Sequence, residues 1–161
     1  GSLAGVFTNT DLGYAPCTAQ ACLEILKYYN VPLSGKRAVV VGRSLVVGKP
    51  AAMMLDRENA TVTLCNSRTQ NLPALCKEAD VVVVAMGKMG AVGADCLRKG
   101  QTVVDVGIHV NEEGRLCGDV KFAEAEPVVD AITPVPGGVG TVTTSVLVGH
   151  VVQAAAKKAG L

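Results

Sequence analysis

Four short runs of β-branched residues recur along the chain: RAVVVGR (37–43), TVTLCN (61–66), VVVVAMG (81–87) and TVVDVGI (102–108). A continuous valine run has no polar face to offer water, so strands of this kind are covered on both sides. Between them, 46–57 and 72–79 carry helical spacing, and 93–99 a shorter turn of helix. Strand and helix alternating through short links leave one economical solution, a parallel sheet wound right-handedly with helices on both faces. A helix over 17–29, with Ala21, Cys22, Ile25, Leu26 and Tyr29 on one side, precedes the first strand. After the last strand come a polar excursion (HVNEEGRLCGDV), a Pro-Gly cluster at 134–140 and a closing helix over 142–158.

The 161 residues are enough for one domain with its own core. Apolar residues make up 49% and aromatic ones only 3%, so Val, Ala and Leu must do the packing. A net charge of +1 gives no pull toward nucleic acid or an anionic membrane surface, and the few aromatics offer no stacking platform for single strands. The six cysteines include no C-x-x-C pair, and His109 and His150 are the only histidines, so no metal site is expected. Cys65 and Cys96 fall in apolar segments and read as buried reduced thiols, which favours a reducing compartment, the cytoplasm. No run of about 18 uninterrupted apolar residues is present, so no membrane span is expected. The opening Gly1-Ser2 reads as an expression scar. Residues 1–15 are expected to be that scar and an interdomain segment, and 16–161 the domain itself.

The first strand runs into GRSLVVGKP (42–50). This is no P-loop, because five residues separate Gly42 from Gly48-Lys49 and Pro50 stands where a hydroxyl should bind magnesium. Nor is it a nucleophile elbow, since Val46 replaces the second glycine of G-x-S-x-G. What remains is a dinucleotide turn, with Gly42 making the tight bend and helix-start N–H groups facing a pyrophosphate. An NAD site usually has a carboxylate after the second strand, where this chain reads CNSRT (65–69). Arg43, Ser67 and Arg68 at adjacent strand ends would suit a 2′-phosphate instead. Taken alone, these residues leave open a plain βα turn carrying solvated arginines. The reading is α/β: a Rossmann-type doubly wound, mainly parallel sheet in a single domain.

PCT (16–18), GRSLVVGKPAAMML, ATVTLCNSRT, DVGI, GDV and ITPVPGGVGTVT, in that order, resemble the NADP-binding domain of bifunctional methylenetetrahydrofolate dehydrogenase / methenyltetrahydrofolate cyclohydrolase. The likeness runs from about residue 16 to the end. It implies NADP as cofactor, with Arg43 and Ser67 on the 2′-phosphate and Ser44 in the phosphate region beyond Gly42. Ala85 and Gly87 would line the adenosine and ribose path, and Ile108 the nicotinamide half. Pro136, Gly137 and Gly138 would form the loop where nicotinamide meets folate, with Thr143 nearby. The chain departs from the family at PCTAQA (usually PCTPxG), at Asn66 (usually His), at Thr141 (usually Pro) and at His109 (usually Asn). His109 is accordingly expected to be a loop side chain, and neither histidine to be a catalytic base.

The resemblance also implies a preceding folate-binding domain whose Tyr-x-x-x-Lys lysine serves the cyclohydrolase step. No Tyr-x-x-x-Lys occurs here, so no catalytic residue is expected in this chain. The implied chemistry is hydride transfer from 5,10-methylenetetrahydrofolate to NADP⁺, then hydrolysis to 10-formyltetrahydrofolate, a one-carbon supply for purine biosynthesis. A stand-alone nucleotide-binding or sensor module is the competing class. A homodimer formed by the cofactor domains is further implied, with RLCGDV (115–120) as its arm. Along the closing helix, Val142, Val146, Leu147, Val148, Val151, Val152 and Ala155 cover more than one face, so a second neighbour is expected there.

Overall fold

The computed structural model describes residues 2–160; Gly1 of the expected scar lies outside them. Five strands form one parallel sheet: β1 (Arg37–Val41), β2 (Thr61–Cys65), β3 (Val81–Val84), β4 (Thr102–Asp105) and β7 (Ala131–Ile132), in the order β2-β1-β3-β4-β7. The valine runs behave as the period-two geometry of a strand requires. Val40, Val81, Val83 and Val104 enter a core beneath α2 (Cys17–Tyr28), α3 (Gly48–Arg57) and α6 (Val139–Ala159). Val39, Val82, Val84 and Val103 enter a second core with α4 (Leu72–Glu78), the 3₁₀ turn Ala94–Cys96 and α5 (Phe122–Ala125). Each of the β3 valines is essentially inaccessible, and burying such a side chain contributes up to about 1.5–3 kcal/mol.

Several expectations need correction. Strand β2 is not covered on both faces: it is a sheet edge, and Thr61, Thr63 and Leu64 are exposed. The polar excursion contains a hairpin outside the main sheet, β5 (His109–Val110) against β6 (Leu116–Cys117), with His109 opposite Cys117. The segment before residue 16 includes α1 (Ser2–Thr8), which packs on α3: Val6 is buried with Ala51 and Met54, and the Arg57 guanidinium donates to the Gly5 carbonyl at 2.9 Å.

The closing helix begins at Val139, three residues earlier than its apolar pattern indicates. Its 21 residues are long and apolar enough, by length and composition, to cross a membrane, although Thr, Ser, His and Gln interrupt the apolar run as the sequence indicates. Here Val139, Val142 and Val146 pack on the core, whereas Leu147, Val148, Val151 and Val152 form an exposed strip.

Candidate cofactor site

The strand order reverses at β1, which has β2 on one side and β3 on the other. Connections leave these strand ends in opposite senses and open a crevice at their carboxyl ends. Gly42 sits in that crevice with φ +120°, a conformation other residues rarely adopt. A Cβ on it would lie 2.0 Å from the Ala85 carbonyl oxygen. Gly48, the first residue of α3, approaches equally closely: its Cβ would stand 1.9 Å from the Gly42 oxygen. Two glycines thus bring strand end, turn and helix start into main-chain contact.

Ser44 braces the turn. Its Oγ accepts from the N–H groups of Val47 (3.1 Å) and Gly48 (3.4 Å), which leaves its own hydroxyl proton free to donate outward. Among the described residues, the N–H groups of 43–46 have no protein acceptor. Four consecutive donors on exposed residues ahead of a helix start are available to an anion. Arg43 is exposed, and among the described residues its guanidinium has no ion-pair partner. Val41 and Cys65 are register partners, so Arg43 and Ser67 each stand two residues past a paired position on neighbouring strands. The turn holding Ser67 is set by Asn66, whose N–H donates to Thr69 Oγ1 (2.8 Å) and whose Oδ1 accepts from Arg68 N–H (3.0 Å).

A second group of sequence-derived residues meets farther along the same edge. Ile108, Pro136, Gly137, Gly138 and Thr143 line one cavity of about 350 Å³, together with Thr18. The Thr143 hydroxyl donates to the Val139 carbonyl at 2.9 Å, leaving it only acceptor capacity toward the cavity. Gly42, Arg43, Ser44, Ser67, Ala85 and Gly87 do not line that cavity; they lie at or beyond the carboxyl ends of β1, β2 and β3.

What joins the two ends was missed in the sequence. Asp119 is fully buried, and its Oδ2 accepts from the N–H groups of Met86 (2.6 Å) and Gly87 (2.9 Å). Its Oδ1 lies 2.7 Å from His109 Nε2. His109 is therefore not a loop side chain but the first residue of β5, paired to a buried carboxylate. Asp105, also buried, accepts from Gly107, Asp119 and Val120 N–H groups at 2.9–3.0 Å. Burial pushes its carboxyl above the ordinary range, because desolvation outweighs those three bonds; the nearby Asp119 adds to the rise. Gly107 and Gly118 leave the room: a Cβ on Gly118 would come within 1.9 Å of Asp105 Oδ2. DVGI and GDV, two motifs apart in sequence, are one interlocked unit. An aspartate with a glycine within two residues in both motifs was the available signal.

A parallel sheet with a glycine-locked turn, N–H donors without protein acceptors at its switch point and a cavity beyond it defines a dinucleotide-binding domain of the doubly wound class. The chain belongs to the family described as tetrahydrofolate dehydrogenase/cyclohydrolase, NAD(P)-binding domain, which matches it over residues 16–159. It is 59% identical over 156 residues to the bifunctional protein FolD of Carboxydothermus hydrogenoformans, covering 96% of this chain and 54% of that one. The crystal structure of the bifunctional enzyme FolD from Campylobacter jejuni superposes with a TM-score of 0.93 at 38% identity, covering 97% of this chain and 55% of that one. The Trypanosoma brucei methylenetetrahydrofolate dehydrogenase-cyclohydrolase, solved with NADP cofactor and an inhibitor, superposes with a TM-score of 0.84 at 37% identity, covering 92% and 53% respectively. The chain thus spans about half the length of the curated relatives it matches.

Proposed function

We propose that this domain supplies the cofactor-binding half of an enzyme that oxidises 5,10-methylenetetrahydrofolate with NADP⁺ and hydrolyses the methenyl product to 10-formyltetrahydrofolate. The observation that carries the cofactor choice is the placement of Arg43 and Ser67, each two residues beyond the register partners Val41 and Cys65, with no carboxylate directly following β2. A carboxylate there would accept from a ribose hydroxyl and repel a phosphate; a guanidinium and a hydroxyl do the reverse. The residues present fit a dinucleotide. The N–H groups of 43–46 and the Ser44 hydroxyl would face the pyrophosphate, Gly87 would let the adenosine half lie close, and the cavity beside Ile108 and Pro136 would take the nicotinamide.

Bound NADP⁺ supplies the hydride acceptor; this chain's part is to hold it and exclude alternatives, a contribution of proximity. Among the described residues the cavity offers one carboxylate, Asp105, and that is spent on three backbone N–H groups. This supports placing the acid-base lysine on a folate-binding partner domain. Calorimetry on the 161-residue chain should show NADP binding, and absorbance of methenyltetrahydrofolate should show no turnover. Turnover at an ordinary enzymatic rate by this chain alone would overturn the division of labour; failure to bind NADP would overturn the cofactor assignment.

The exposed strip Leu147, Val148, Val151 and Val152 supports a covering element along α6, as apolar patches of this kind mark interaction surfaces. The folate-binding domain is the proposed occupant, and without it copies of this chain should self-associate through the strip. A homodimer through the β5–β6 arm and a cytoplasmic place in purine precursor supply complete the proposal. The cytoplasmic setting is supported by six free cysteines. Sedimentation velocity with hydrogen exchange on α6 tests the surface. Concentration-dependent association with protection on 147–152 is expected; a strict monomer with these amides protected as firmly as β3 would contradict it.

A further inference from the structure

Cys17, in the PCT motif that opens α2, has no part in the cofactor reading, yet it belongs to an arranged group of side chains. Cys17, the first residue of α2, is half-buried, with its Sγ 3.6 Å from Nδ1 of His150 on α6. His150 Nε2 lies 2.9 Å from Gln20 Oε1, and Gln20 Nε2 donates to Glu24 Oε1 at 3.3 Å. The order of donors is fixed from the far end. A carboxylate only accepts, so the Gln20 amide must turn its NH₂ to Glu24 and its oxygen to His150. That oxygen only accepts, so the imidazole proton sits on Nε2. The Nδ1 lone pair is thereby left facing the Cys17 thiol. Tyr14 lies against the imidazole, its ring centroid 5.1 Å away.

A thiol, a base within reach of its proton and a third group that orients the base form the arrangement that activates a nucleophile. The start of a helix adds a favourable field for negative charge on sulfur as it attacks. We propose that Cys17 is a thiol-modification site that undergoes exchange with low-molecular-weight disulfides, His150 acting as its base. In that step the Cys17 S–H proton passes to His150 Nδ1, and Sγ attacks one sulfur of the disulfide. A new S–S bond forms, the old one breaks, and the departing thiolate takes the proton from the imidazolium. No other oxidant is consumed. The added group would stand one residue from Thr18, which lines the cavity of Ile108 and Pro136. The inference stands apart from the cofactor assignment and is tested without any nucleotide.

The other five cysteines provide the reference. Cys22, Cys65, Cys76 and Cys96 are buried, and burial pushes their thiols up, Cys22 and Cys76 to about 12. Cys117 is half-buried like Cys17, but its Sγ neighbour is the His109 carbonyl at 3.9 Å, and the His109 ring is held by Asp119. The folded chain would be treated with 2-hydroxyethyl disulfide and the rate at each cysteine followed by peptide mass spectrometry. Because general-base assistance contributes about 10²–10⁴ in rate, Cys17 should react roughly a hundredfold faster than Cys117. His150→Gln should remove most of that advantage and leave the Cys117 rate unchanged. Equal rates at Cys17 and Cys117 in the unsubstituted chain overturn the proposal, and so does an undiminished Cys17 rate in a folded His150→Gln or His150→Asn variant. If both variants unfold, exposing the four buried thiols, the comparison within the unsubstituted chain decides alone.

Discussion

Arg43→Ala is expected to weaken NADP binding about ten- to a hundredfold while changing NAD binding little, the loss of one charge-assisted contact to a phosphate. The guanidinium stands exposed without an ion-pair partner among the described residues, so its removal strands no buried group and should not unfold the domain. Exposure also means that salt competes: the gap between the two cofactors should narrow as ionic strength rises. Arg43→Lys should recover part of the affinity, as a point charge without the planar fork. Calorimetric titration of both cofactors at two salt concentrations reads all of this. Equal losses for NADP and NAD would show that Arg43 does not read the 2′-phosphate.

Gly48→Ala should be severely damaging to the cofactor turn. The added Cβ would stand 1.9 Å from the Gly42 carbonyl oxygen, 2.5 Å from its carbon and 2.9 Å from the Arg43 nitrogen. All three are backbone atoms, which cannot swing aside as a flexible side chain can. Gly42 has no slack to offer, with its own Cβ direction filled by the Ala85 carbonyl. Either α3 retreats from the sheet or the turn opens; overpacking of this kind costs about 3 kcal/mol. The 43–46 donors would splay, so NADP affinity should fall alongside stability. Gly149→Ala is the control: nothing lies within 4 Å of its Cβ direction, and a helix interior gains about 0.5–1 kcal/mol from the exchange. Urea midpoints for the two variants should move in opposite directions. A Gly48→Ala midpoint matching that of the unsubstituted chain would mean that the close approach is not rigid.

The strands that build the crevice were legible because each of β1, β3 and β4 carries its own valine run, a local signal that survives any context. Strand β7 was not: Ala131 and Ile132 are too few to show a period, and the pair becomes a strand only because β4 offers a free edge. The start of α6 was hidden by its glycines, which read as turn. The helix forms anyway, with Thr141, Thr143 and Ser145 bonding back to carbonyls one turn earlier. In the site, Gly42 and Arg43 could be found because a strand end and its turn are adjacent in the chain. Asp119 could not, since its carboxylate serves N–H groups 32 and 33 residues away. The Cys17–His150 contact, across 133 residues, belongs to the same class of long-range fact.

Arg43 and Ser67 hang on a scaffold that neither of them supports. The strand-to-helix contact is made by Gly42 and Gly48 through main chain, and the bracing hydroxyl belongs to Ser44. Exposed substitutions away from packing and capping features usually shift stability by no more than about 0.5 kcal/mol. On the proposed assignment of 43 and 67 to the 2′-phosphate, a lineage can therefore exchange these residues step by step, and so drift between nicotinamide cofactors, while every intermediate stays folded. Positions 42, 48, 107 and 118 allow no such wandering, because backbone or a buried carboxylate fills the space where a side chain would begin. Evolvability and robustness are thus assigned to different residues of the same domain.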